Sequence, residues 1–206
     1  MKLAEVHLET HKLEALKAFY TQTLQLPLVH EDKNSFAVRI GASKLYFSHT
    51  TGDDEPFYHF AINIPENQLA EARAWLSTRV SLIEKEGTDE FYHEDWNAHS
   101  LYFRDPAGNL VEFIARHNLD NASREPFSSE SLLCISEIGI AVEEVRIFSE
   151  HVKQELNVQV WRGDEKNFAA IGDEEGLFII VPVGRPWFPD DRPAQEFPVV
   201  VDVGDQ

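Results

Sequence analysis

The sequence predicts an α+β fold built from tandem β-α-β-β-β modules, two of them complete and a third degenerate. Three observations carry that expectation. The order of apolar alternation and helical period over residues 1–50 is repeated over residues 51–117. The segments EVHLET and FYHFAI occupy matching places in the two passes, as do SKLYF and NLVEF. A fainter third pass follows in phase over residues 132–206. Self-similarity of this kind marks a chain assembled from repeated supersecondary units.

In the first pass, residues 5–9 alternate, with Val6 and Leu8 on one face and Glu5, His7 and Glu9 on the other, which reads as a short strand. Thr10 is a helix N-cap, and Leu13, Leu16, Phe19, Tyr20 and Leu24 recur at helical spacing until Pro27 ends the run. Residues 28–29, 35–40 and 43–49 then read as three strands, divided by Asp32-Lys33-Asn34 and Gly41-Ala42.

The second pass opens after the polar loop 51–56. Residues 57–64 form a strand, and Leu69, Ala72, Trp75 and Leu76 mark a helix. Leu82-Ile83 is strand-like, and residues 97–116 read as strand, turn, strand. The turn Asp105-Pro106-Ala107-Gly108-Asn109 follows from its chemistry: proline fixes φ, glycine and asparagine accept positive φ, and aspartate bonds nearby amides. On the last strand Glu112 stands between apolar neighbours. A buried carboxylate without a partner is costly, so Glu112 should be paired or bound to a metal. The second pass is longer than the first, and its extra residues, EGTDEFYHEDWNA, form a polar yet aromatic loop of the kind that covers a site.

Residues 118–131 are polar and aperiodic, a linker. In the third pass a strand over 133–142, a helix over 145–156 and strands near 158–161, 168–171 and 177–181 are expected. The place of His7 falls there near Gly139 and that of Glu112 near Ile179 or Ile180, so this copy is read as lacking metal ligands. The Pro-rich residues 184–195 are a second linker, and residues 197–203 resemble the first strand of a fourth copy. That strand would pair with the third copy or with another chain, which leaves room for a homodimer. The domain division that follows is a two-module unit at 1–117 and a truncated one at 132–206.

Composition narrows the function classes. Of 206 residues 43% are apolar, enough for a packed core, and the net charge of −18 argues against nucleic acid or anionic membrane as a partner through bulk electrostatics. Cys134 is the only cysteine, so no intrachain disulfide is expected, which suits a reducing cytoplasm. No apolar run reaches transmembrane length.

The repeat makes His7, His59 and Glu112 equivalent, and Tyr46 takes the fourth position as a packing or hydrogen-bonding residue. If the first two passes pair about a pseudo-twofold axis, the three converge on one point. Two histidines and a carboxylate form the facial triad of non-haem Fe(II) sites and also suit Zn, Mn or Ni.

On His7, the Leu13-to-Pro27 helix, His59 and the run Tyr102-Phe103-Arg104-Asp105-Pro106-Ala107-Gly108-Asn109-Leu110-Val111-Glu112, the chain resembles the vicinal oxygen chelate superfamily. That superfamily holds glyoxalase I, fosfomycin-resistance and bleomycin-resistance proteins and extradiol ring-cleaving dioxygenases. The resemblance implies a half-open mixed β-barrel around a divalent metal held by His7, His59 and Glu112. It also implies a small-molecule substrate bound through two adjacent oxygens. A finer resemblance is to the extradiol dioxygenases: His93, Leu101-Tyr102, Asp105-Pro106, Gly108 and Glu112 follow their order and spacing. It implies His93 as acid/base and Tyr102 as a hydrogen bonder to a substrate oxygen, with Fe(II) favoured. Two features depart from that pattern: Phe91 replaces a smaller residue, and the metal would sit in the first module pair rather than the C-terminal one. Read without the resemblance, His93 and His99 are loop histidines and Tyr102 a core residue. A glyoxalase-type lyase or isomerase, a thiol transferase of the fosfomycin-resistance type and a metal-free bleomycin-resistance-type binder stay open. No basic cluster near these residues supports a phosphonate or glutathione substrate.

Overall fold

The computed structural model describes residues 1–204. The first pass gives β1 (Lys2–Thr10), α1 (Leu13–Ala18), β2 (Leu28–Glu31), β3 (Ser35–Ile40) and β4 (Ser43–His49), and α1 runs on into a widened turn over Phe19–Thr23. The second gives β5 (His59–Ile64), α2 (Leu69–Ser77), β6 (Phe91–His93), β7 (Ala98–Arg104) and β8 (Leu110–Arg116). The third gives β9 (Cys134–Val142), α3 (Val145–Leu156), β10 (Val160–Gly163), β11 (Ala169–Asp173) and β12 (Gly176–Pro182), and β13 (Val200–Gly204) closes the described chain. Every module repeats the predicted order, with two corrections: the short strand of the second module is β6 inside the expected loop, whereas Leu82 makes only a single bridge to Phe103, and α1 is capped at Lys12 because Thr10 still belongs to β1. Among the described residues no helix is long and apolar enough to cross a membrane.

The modules pair otherwise than the sequence suggested. β5 through β12 form one mixed sheet in the order β10-β11-β12-β9-β5-β8-β7-β6, curled into a half-barrel. In each half the module's first strand lies parallel to its last, β5 with β8 and β9 with β12. The halves join through an antiparallel β5–β9 seam, with Phe60 opposite Ile138 and Ala61 opposite Glu137. The second module is thus the partner of the third, not of the first. The first module forms its own sheet, β13-β1-β4-β3-β2, in which β13 lies antiparallel to β1. The strand expected to pair with the third copy or with another chain pairs with the first copy instead.

Burial explains this choice. Every residue of β5 and β8 is buried, as in central strands covered on both faces, the polar His59, Asn63, Glu112 and Arg116 included. β9 is almost wholly buried as well, so the strongest apolar strands meet at the sheet centre. β2 is exposed throughout and ends at an edge. Ser43 links the two sheets: its hydroxyl donates to Leu3 O at 2.7 Å and accepts from Ile135 N at 3.0 Å.

The turn between β7 and β8 is a second link. The buried Asp105 carboxylate accepts from Ala107 N (2.9 Å), Asn109 N (3.0 Å), Asn109 Nδ2 (2.7 Å) and the buried Tyr20 hydroxyl (2.8 Å). One side chain therefore shapes its own turn and ties it to the helix of the first module. Burial pushes Asp105 up to about 6, against the lowering effect of those donors. The folded state holds this proton more tightly than the unfolded chain. Its stabilising contribution is full below pH about 4 and is lost as the pH rises through about 6. An Asp105→Asn variant, which turns a donor toward Asn109 Nδ2, should lose about 1–3 kcal/mol at pH 4. Urea unfolding of both proteins should show that gap narrowing as the pH is raised to 7.

Candidate metal centre

At the β5–β9 seam three polar side chains face one another inside the half-barrel. His59 begins β5, Glu112 lies mid-way along β8 and Glu137 lies on β9, and all three are buried. Each offers a donor atom within 4.8 Å of the other two.

Each ligand candidate is also held from behind. His59 Nδ1 lies 3.2 Å from Leu110 O. A carbonyl only accepts, so Nδ1 carries the proton. Burial lowers the His59 pKa, so the ring is neutral and Nε2 presents a lone pair. Ser100 on β7 donates to Glu112 Oε1 at 2.5 Å. Arg116, at the end of β8 and wholly buried, donates to Glu137 Oε1 and, through Nε, to Asn63 Oδ1 at 3.1 Å. The remaining atoms point inward: His59 Nε2 is 3.6 Å from Glu112 Oε2 and 4.0 Å from Glu137 Oε2. With the imidazole neutral these are not ion pairs. They are three electron-rich atoms held together out of water.

That arrangement is unfavourable without a positive charge in its midst. Arg116 compensates one carboxylate and leaves the other. Burial pushes Glu112 up to about 7 and also raises Glu137, which the Glu112 charge raises further and Arg116 opposes. The donor set, one imidazole and two carboxylate oxygens with outer partners, fits a divalent ion of the Mn, Fe, Ni or Zn kind.

His7 is not part of this group. It lies on β1 in the other sheet, half-exposed, stacked on Tyr46 at 4.3 Å and 3.4 Å from Glu5 Oε2. The β5–β9 pairing brings Glu137 to the place expected for it. Gly139, the repeat equivalent of His7, does lie against His59: a Cβ there would come within 3.2 Å of the His59 Cβ and 2.7 Å of the Trp187 ring. Glu137 is two residues earlier, on the same strand face. The third module thus supplies a ligand candidate that alignment to His7 overlooked. The signal was present, since Glu137 is a lone carboxylate in the apolar run CISEIGIAV, the criterion that singled out Glu112.

These residues open into a cavity of about 330 Å³. His93 and Tyr102 both line it, with His93 Nε2 3.1 Å from the Tyr102 hydroxyl. The loop of residues 86–98 does fold over the site, and Trp96 reaches the cavity wall. His99 is turned elsewhere, its Nδ1 2.8 Å from His117 Nε2. Burial lowers the His93 pKa and raises that of Tyr102 well above 10. At neutral pH the first is a neutral imidazole and the second a protonated phenol.

Residues 184–195, read from sequence as a linker, form a strap across the mouth. Trp187 packs on His59 at 5.0 Å and Phe188 on His93 at 5.7 Å. Ion pairs from Arg104 to Asp190 (2.7 Å) and from Lys85 to Asp191 (2.8 Å) fasten it to the second module.

No family model matches the chain, and no curated protein matches it. Solved structures do resemble it. A glyoxalase I mutant from Zea mays superposes with a TM-score of 0.57 at 15% identity, over 88% of this chain and 67% of that one. A candidate dioxygenase from Bacillus subtilis gives 0.56 at 16% identity, over 88% of this chain and 63% of that one. A glyoxalase/bleomycin resistance protein/dioxygenase from Nocardioides gives 0.47 at 21% identity, over 62% and 90%. The likeness is one of fold.

Arg116 should be the most sensitive structural position of this centre. Its replacement by leucine leaves Glu137 buried and uncompensated, at a cost of about 3–5 kcal/mol. Adding Glu137→Gln should recover most of that loss, read from urea unfolding of the single and double variants.

Proposed function

We propose that this chain, which has the vicinal oxygen chelate fold, is a divalent-metal-dependent enzyme acting on a small molecule through two adjacent oxygens. The ligands in this reading are His59, Glu112 and Glu137. The observation that carries it is the convergence of three buried electron-rich atoms, each fixed by an outer partner. A divalent ion bound there supplies Lewis-acid polarisation of the substrate oxygens.

The protein's own groups supply the rest. Neutral His93 can take a proton, and Tyr102, its hydrogen-bonded neighbour, can donate a hydrogen bond to a substrate oxygen. Trp187, Phe188 and Trp96 exclude water and hold an apolar substrate body. The two-carboxylate donor set differs from the two-histidine facial triad, which removes the particular argument for Fe(II). It supports proton-moving chemistry of the lyase or isomerase type first. A second reading, ring-cleaving dioxygenase, is supported by the His93–Tyr102 pair at the order and spacing that the sequence indicated. A metal-free binding role would leave proton uptake at Glu112 and the Arg116 contact to Glu137 as the sole compensation for the two buried carboxylates.

Metal content decides the ligand set. Protein purified anaerobically and loaded with Mn(II), Fe(II) or Zn(II) should hold one ion per chain. His59→Ala and Glu137→Ala should each weaken binding by at least about 100-fold, consistent with outer partners alone being worth 10–100-fold. His7→Ala should leave binding unchanged. Retention of full affinity in Glu137→Ala, with loss in His7→Ala, would falsify the assignment.

Replacement of Tyr102 by Phe, or of His93 by Ala, should lower kcat by about 10²–10⁴ with metal content unaffected. Catechol-dependent oxygen uptake by the Fe(II)-loaded protein would select the dioxygenase reading, and its absence, with turnover in an anaerobic isomerase or lyase assay, would select the other.

A further inference from the structure

The cavity contains one cation that the metal reading does not use. Arg185 lines it, half-buried, at the root of the strap. Its backbone is fixed at both groups: its N–H donates to Pro182 O at 3.1 Å, and its carbonyl accepts from Ala194 N at 2.8 Å. The guanidinium stands 5.1 Å from the Phe168 ring. Among the described residues no carboxylate lies within 4.0 Å of it, and its side chain makes no hydrogen bond. The nearby acids are occupied: Asp190 by Arg104 and Glu137 by Arg116. A partly desolvated guanidinium with five free donors is costly to maintain unless an anion completes it.

We propose that Arg185 is a specificity-determining residue that binds a carboxylate on the substrate, whose body is aromatic or similarly flat and apolar. The remaining wall favours this class, with Trp187, Phe188 and Ile179 lining the same cavity and Phe168 beside the guanidinium. A single unpaired arginine beside two glutamates matches a monoanion better than a phosphoryl dianion. Planar guanidinium and planar carboxylate also pair through two parallel hydrogen bonds. This inference rests on the reading of the same cavity as a substrate site. Sequence inspection found no basic cluster because the residue is solitary and lies in the segment taken for a linker.

The test is a tryptophan-fluorescence titration with benzoate, benzamide and phenyl phosphate, each on protein without added metal and on protein with saturating Zn(II). Wild type should bind benzoate at least about tenfold more tightly than benzamide in both states. Arg185→Gln should remove that preference and Arg185→Lys should keep part of it. The Arg185 side chain makes no hydrogen bond or ion pair among the described residues and touches only the Phe168 ring, so both variants should unfold within a few degrees of wild type. Equal binding of benzoate and benzamide, no binding of benzoate, or a preference that survives in Arg185→Gln each overturns the assignment. Phenyl phosphate binding more tightly than benzoate overturns the monoanion class. Zn(II) content is read on the same samples: ion uptake without benzoate preference removes the role of Arg185 alone. A preference in protein that takes up no ion supports Arg185 and removes the metal reading alone.

Discussion

Two buried carboxylates and a neutral imidazole share the seam between the second and third modules, and only one arginine is buried with them. The surrounding structure is arranged around this imbalance. Leu110 O fixes the His59 tautomer, Ser100 turns Glu112, and Arg116 restrains Glu137 from the opposite side. Each contact spends one atom of its partner and leaves another facing inward. The result is three electron-rich atoms facing one another, held together by strands that cannot separate without exposing a central apolar seam.

That seam is also what brings the three side chains together. A β-α-β-β-β module places its first and last strands side by side, which by itself assembles only His59 and Glu112. The third ligand candidate arrives because β9 lies antiparallel to β5, and the register there sets Glu137 beside Ala61. The missing side chain of Gly139 then lets Trp187 descend onto His59. One module has lost its polar residue at the repeat position and kept one two places away, and the space vacated is used by the strap.

The strap and the long loop of the second module both line the cavity and meet where Phe188 packs on His93, bringing aromatic walls, the His93–Tyr102 pair and Arg185 together. Neither segment has regular repeat partners in the first module. Ion pairs at Asp190 and Asp191 hold the strap, with Trp187 buried against His59 and Phe188 half-exposed at the cavity rim. The first module contributes no side chain to this cavity. It packs against the others through the Ser43 and Asp105 links and keeps its own sheet.

The sequence by itself determined the module order, the strand and turn at residues 97–116, and the candidacy of His59 and Glu112, which the fold sets facing each other. Local alternation, turn chemistry and the cost of a lone carboxylate are all written in consecutive residues. Which modules pair was decided only by tertiary structure. His7 and Glu137 both sit on first strands of modules and carry equal promise in a linear reading. Their fates depend on which strand edge β5 meets, and that is settled by burial summed over the sheets, a quantity no short segment contains. The same holds for Arg185, whose Pro-rich surroundings read as a linker until ion pairs from a distant part of the chain folded them over the site.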